Sequence, residues 1–115
     1  MQITARCKIH DGQFEKFKDL SRQGISIVKE KEKGQGGTLQ YDWFLNEATS
    51  EGHVRETYAS SDALLAHMGN VGEQLGALMA ITDISLEVYG TPSDKLLAAT
   101  EGLKKHIYPS LGSID

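Results

Sequence analysis

His67 stands at the margin of an apolar helical seam, and the strand pair just before that helix carries Tyr41, Trp43, Glu56 and Tyr58. Imidazole is the side chain whose ordinary pKa puts proton transfer near neutrality. A carboxylate beside it can orient the ring or, once desolvated, act as the base itself. His67 and Glu56 are therefore the candidate catalytic residues. Asn70 follows His67 by about one turn on the same flank and is placed to donate to a substrate oxygen. Tyr41, Trp43 and Tyr58 supply flat apolar walls with polar tips, which suit an aromatic ligand, and Tyr108 in the apolar tail is the candidate lid. Only Ala59-Ser60-Ser61-Asp62 separates hairpin from helix, so the helix folds back and brings His67 to the strands. Each residue also has an ordinary structural role: His67 at a half-exposed boundary, Trp43 in a core or interface, Glu56 in a cross-strand ion pair.

Other chemistries find less support. His10, His53, His67 and His106 are scattered, with no two at the helical spacing that sets metal ligands on one face, so no metal site is expected. The glycines of Lys33-Gly34-Gln35-Gly36-Gly37 form a turn, because a phosphate-binding fingerprint needs them directly between a strand and a helix. Cys7 is the single cysteine; it cannot form an internal disulfide and reads as a buried thiol in a reducing compartment. With 12 Lys+Arg against 16 Asp+Glu and a net charge of −4, the chain lacks the basic face that nucleic acid requires. The run Lys29-Glu30-Lys31-Glu32-Lys33 alternates in sign and reads as a solvated helix end. No stretch approaches the roughly 20 apolar residues that cross a bilayer, and the first residues lack a signal-peptide core. The expectation is a cytoplasmic protein with no membrane partner.

The elements that position these residues follow from periodicity. The 115 residues, 39% hydrophobic and 24% charged, suit one globular domain over 1–115. Ile3, Ala5, Cys7 and Ile9 alternate with polar residues, as in a strand with one buried face. Asp11 is placed to cap a helix whose apolar face is Phe14, Phe17, Leu20, Gly24, Ile25 and Val28. Residues 38–46 and 53–59 read as strands joined by a polar turn, with the adjacent Trp43 and Phe44 on opposite faces. Ser61-Asp62 opens a second helix with one seam from Leu64 to Leu78. Gly69, Gly72 and Gly76 on its flank predict close approach by another backbone or a ligand, and His67, Asn70 and Gln74 occupy the other flank. Ile84, Leu86 and Val88 mark a fourth strand, and Ser93-Asp94 starts a shorter third helix. The order is that of an α+β, ferredoxin-like βαββαβ unit with an extra C-terminal helix. Its uncovered sheet face predicts a homodimer through that face, closing a dimeric α/β barrel.

The segments Tyr41-Asp42-Trp43-Phe44-Leu45-Asn46, Arg55-Glu56-Thr57-Tyr58, Ser61-Asp62-Ala63-Leu64-Leu65-Ala66-His67 and Leu86-Glu87-Val88-Tyr89-Gly90 carry a resemblance. Together they make the chain similar to the antibiotic biosynthesis monooxygenase-like proteins of the dimeric α/β-barrel superfamily. That likeness implies oxygenation of a phenol or quinol by dioxygen, without a cofactor, in a cavity between sheet and helices. Haem-degrading members of the superfamily use an asparagine on the first strand, which is absent here, so their activity does not carry over. Two alternatives stay open: a non-catalytic small-molecule binding domain of the same fold, and a small isomerase or lyase. A cavity with His67 facing into it is the feature that separates catalysis from a filled core.

Overall fold

Alternation over Gln2–Ile9 places this strand, β1, at the centre of the sheet, with Ile3, Ala5, Cys7 and Ile9 buried. The computed structural model describes residues 1–115. After β1 come α1 (Phe14–Lys31), β2 (Thr38–Asn46), β3 (Glu51–Tyr58), α2 (Ser61–Asn70), α3 (Gly72–Ile81), β4 (Thr82–Tyr89), α4 (Asp94–Ala99) and β5 (Lys104–Tyr108). The strands lie in the order β2-β3-β1-β4-β5, antiparallel except for the parallel β4–β5 pair. This is the expected α+β arrangement with helices on one sheet face. Two clusters tie the layers together: Cys7, Ile9, Phe17, Leu20, Leu78 and Ile81 at one end, and Ile3, Tyr58, Leu64, Val88 and Leu96 at the other. No helix is long and apolar enough to cross a membrane.

The structure corrects the sequence reading in several places. Asp11 does not cap α1; Gly12 turns with φ +78°, and the helix begins from Gln13 without a side-chain cap. The expected second helix is two, because Val71 leaves helical geometry at φ −103°, ψ 13°. Backbone bonds from Val71 N–H to the His67 carbonyl and from Leu75 N–H to the Val71 carbonyl carry the seam across the break. Gly69, Gly72 and Gly76 have nothing within 4 Å of where a Cβ would stand, so they admit no neighbour within the chain. Gly69 and Gly72 instead flank the break, where their poor helix propensity lets the axis bend. The C-terminal region adds a fifth strand to the expected helix, and the helix-free face is more polar than expected. Thr4 and Arg6, His53 and Arg55, and Ser85 and Glu87 occupy its middle, with Phe44, Tyr89 and Tyr108 the large exposed rings beside them.

The close backbone approach occurs at Gly52 on β3. A Cβ there would stand 2.3 Å from Cζ of Phe17, whose ring is fully buried against the bare strand. Gly52→Ala is expected to cost about 2 kcal/mol by overpacking. Thermal unfolding should show a Tm lower by roughly 8 °C; an unchanged Tm contradicts this packing.

Candidate active site

The buried stripe of α1 steps by four residues through Leu20, Gly24 and Val28, and the next step is Glu32, just past the last helical residue. Its carboxyl therefore points inward from the end of a charged run and is only 6% exposed. Three donors converge on it. Thr38 Oγ1 donates to Oε1 at 2.5 Å, Asn70 Nδ2 donates to Oε2 at 3.3 Å, and His67 Nδ1 lies 2.9 and 3.0 Å from the two oxygens. Such a donor set satisfies a carboxylate. It also fixes the imidazole tautomer, since an acceptor-only partner requires the ring proton on Nδ1. Nε2 is then left with its lone pair.

On the other side of the ring stands Glu56, 8% exposed, with Oε1 3.7 Å from His67 Nε2. Tyr58 Oη donates to the same oxygen at 2.5 Å. Burial pushes the Glu56 carboxyl up to about 7, with the charge of Glu32 adding to the effect and the Tyr58 hydroxyl opposing it. Burial pulls His67 below its ordinary value, against the contrary pull of Glu32. Near neutrality the site thus holds a neutral imidazole beside a carboxyl poised to carry a proton. Tyr41 and Tyr58 are both pushed above the ordinary phenol range, chiefly by burial and then by Glu56, and stay protonated.

His67, Glu56, Tyr41 and Trp43 line a cavity between the sheet and the helices. Its volume is about 90 Å³, against the roughly 10–15 Å³ that one water needs. Ile3, Ala5 and Cys7 of β1 form its floor, and Met68 of α2, Val71 at the break and Leu75 and Leu78 of α3 form its roof. Fifteen of the 20 lining residues are hydrophobic and none is Lys or Arg, so a small apolar molecule fits better than an anion. The Cys7 thiol is pushed up to about 12, first by burial and then by Glu56, and is no nucleophile. No group of three or more His, Cys, Asp or Glu side chains is placed to hold a metal ion.

No family model matches the chain, and no curated protein matches it in sequence. Solved structures do match in fold. MupZ from Pseudomonas fluorescens superposes with a TM-score of 0.74 at 20% identity, covering 99% of this chain and 93% of MupZ. A candidate antibiotic biosynthesis monooxygenase from Caulobacter crescentus gives a TM-score of 0.62 at 23% identity, over 74% of this chain and 84% of that one. A third protein, a candidate monooxygenase of the same kind from Bacteroides thetaiotaomicron, gives 0.65 at 16% identity, over 75% and 83%. The chain has the antibiotic biosynthesis monooxygenase-like fold.

Within this monooxygenase-like fold the residues singled out in the sequence divide into three groups. His67, Glu56, Tyr41 and Trp43 meet at the cavity, with the Tyr41 and His67 rings 4.9 Å apart. Asn70 and Tyr58 stand behind them: Asn70 holds Glu32 and Tyr58 holds Glu56, and neither lines the cavity. Tyr108 is placed apart from the cavity, because β5 pairs beyond β4 and stacks its ring on Tyr89 with centroids 5.5 Å apart. Glu32 and Thr38 are the polar residues that sequence reasoning missed. For Glu32 a signal existed in the four-residue spacing from Val28; for Thr38 there was none, since its role depends on how the glycine turn brings β2 back to the end of α1.

Proposed function

We propose that this protein is a general acid–base enzyme acting on a small, largely apolar molecule, and that its reaction is cofactor-independent monooxygenation of a phenol or quinol. The observation that carries the acid–base part is the single ring of His67, held by one buried carboxylate and facing a second carboxyl at the wall of an apolar cavity. The names borne by structures of this fold support the oxygenation. His67 Nε2 takes the phenolic proton, with Glu32 stabilising the imidazolium that forms. The phenolate passes one electron to dioxygen; superoxide and the ring radical combine at a ring carbon bearing hydrogen. The resulting hydroperoxide loses water to leave a quinone, so the substrate loses two hydrogens and gains one oxygen. The protein's contribution is a base, a proton source in Glu56 and a dry cavity walled by Tyr41 and Trp43. A homodimer through the helix-free face would be held by hydrogen bonds and ion pairs around Phe44 and Tyr89.

A redox-neutral isomerase or lyase is the second reading, favoured by one observation. Glu56, pushed up to about 7, sits beside the lone pair of His67, so a base and an acid share one wall and can move a proton between two substrate atoms. Oxygen uptake and deuterium incorporation from D₂O, measured with hydroquinones and anthrone-type phenols, separate the two, with His67→Ala setting the background. Uptake above that background supports the oxygenase. Exchange or conversion without uptake supports the redox-neutral enzyme. Neither, with every compound, refutes catalysis and leaves a binding domain.

A further inference from the structure

We infer that the substrate has two parts: a reactive ring that gives up its proton at His67 and Glu56, and an alkyl chain that runs from the ring across β1 and β4 toward Leu103. The inference rests on reading the cavity as a substrate site. Strand register sets the direction. Tyr41 on β2 pairs with Glu56 on β3, and Glu56 with Ile3 on β1; two residues along each strand, Val54 on β3 stands opposite Ala5, and Ala5 opposite Leu86 on β4. Positions two apart on a strand share a face, so the cavity floor crosses the strands from β2 to β4. Its polarity changes along that line. At the β2 and β3 end stand Tyr41, Trp43 and Glu56, with His67 against them. On β1 and β4 the floor is Ile3, Ala5, Cys7, Ile84 and Leu86, and Leu103 follows just before β5. With neighbouring strands about 4.8 Å apart, the apolar floor reaches roughly 10 Å beyond Glu56 to β4.

The far end offers apolar surface and no polar partner. Met68, Leu75, Ile84, Leu86 and Leu103 line the cavity yet are only half-buried, so they keep apolar surface that a ligand can cover. Thr100, the one polar side chain on the wall there, donates its hydroxyl to the Leu96 and Leu97 carbonyls at 2.8 and 3.4 Å. The Lys105 ammonium is held by the Thr100 and Leu103 carbonyls at 2.8 and 3.5 Å and does not line the cavity. Gln74 also lines the wall, but it bonds Gln23 of α1. That helix packs on β2 and β3, where Gly24 meets Tyr41 and Phe17 meets Gly52. A hydroxyl or charged group carried to the β4 end would lose its water and gain little in return. A methylene group there loses nothing and gains by burial. The aromatic walls stand only at the reactive end, so the second part of the substrate is aliphatic.

Calorimetry with phenol, para-propylphenol and para-hexylphenol tests the inference. Three further probes fix the character of the far end: para-(ω-hydroxypentyl)phenol, in which a hydroxyl replaces the terminal methyl of the hexyl chain, its ω-carboxylate counterpart, and para-phenylphenol. Affinity is expected to rise about threefold for each added methylene, as burial of a CH₂ group dictates. The hexyl compound should bind at least tenfold tighter than its hydroxyl and carboxylate counterparts, and tighter than para-phenylphenol. Ala5→Leu fills the floor midway and should cut the hexyl-to-phenol affinity ratio at least fivefold. Leu103→Asn changes a half-buried turn residue outside the sheet and should narrow the preference for the hexyl chain over its hydroxyl counterpart several-fold. Affinity that does not grow with chain length, no binding of any probe, tighter binding of the carboxylate or of para-phenylphenol, or ratios unchanged in both variants overturns the alkyl site. The chain-length gain should persist in His67→Ala. A gain in a protein with no turnover refutes the catalytic reading alone, and turnover without the gain refutes the alkyl site alone.

Discussion

Glu32→Gln lowers turnover by about 100-fold or more and moves the acid limb of the pH profile to lower pH. Glu32 does not line the cavity, so it acts through His67 as a positioning residue. Its charge is the main influence opposing the loss of basicity that burial imposes on the imidazole. With that charge removed, the His67 pKa falls further below 6.5. Neutral His67 then persists to lower pH, which shifts the limb, but it is a weaker base, which lowers the plateau. Geometry suffers too. Both carboxylate oxygens accept from donors, Oε1 from Thr38 and Oε2 from Asn70, while His67 Nδ1 lies against both. A glutamine must turn its own NH₂ toward one of these donors, so one bond is lost and the ring is less firmly held. The measurement is kcat/KM against pH for wild type and variant, on whichever of oxygen uptake or deuterium exchange the wild type shows. A variant within about threefold of wild type, with an unmoved acid limb, reduces Glu32 to a structural role.

That residue also marks where the sequence stopped being legible. The alternation in β1 gave its buried face directly, and the adjacency of Trp43 and Phe44 required opposite faces. Which of the two faces the cavity depended on pairing across the hairpin, where Trp43 stands opposite Val54 and Tyr41 opposite Glu56. A polar turn of uncertain length does not fix that register, and a slip of one residue would have sent Phe44 inward. Glu32 was masked by its neighbours: alternating signs read as solvent-facing, although helical phase from Leu20, Gly24 and Val28 carries it inward. Strand β5 was hidden because five edge residues beside one parallel neighbour show no clean burial alternation. His67 was found for its chemistry and its place beside an apolar seam, both local properties. Its partners come from just past the end of α1 and from β2 and β3, 35 or fewer residues away in the chain, and their convergence is a property of the fold.

Glu56→Gln is the variant in which stability and chemistry oppose each other. In the native state the carboxyl titrates at about 7 instead of 4.5, so between these values the folded protein keeps a proton that the unfolded chain has released. Stability therefore falls as pH rises through that window, and the loss is complete above about 7. By linkage the loss amounts to about 3 kcal/mol. Glutamine cannot ionise, and its oxygen in the place of Oε1 still accepts from Tyr58 Oη, while His67 Nε2, 3.7 Å from that same atom, has no hydrogen bond to lose. The variant should be more stable than wild type by about 3 kcal/mol at pH 8, seen as a Tm higher by roughly 12 °C, and by less than about 1 kcal/mol at pH 5. Its activity discriminates between the two chemistries. A redox-neutral reaction that needs Glu56 to return a proton is abolished, whereas oxygenation, whose first step belongs to His67, is only slowed. If stability at pH 8 does not rise, Glu56 ionises in the native protein as readily as in the unfolded chain, its charge met by a proton on His67. The acid and the base then exchange places, and the imidazolium becomes the donor in whichever reaction the cavity supports.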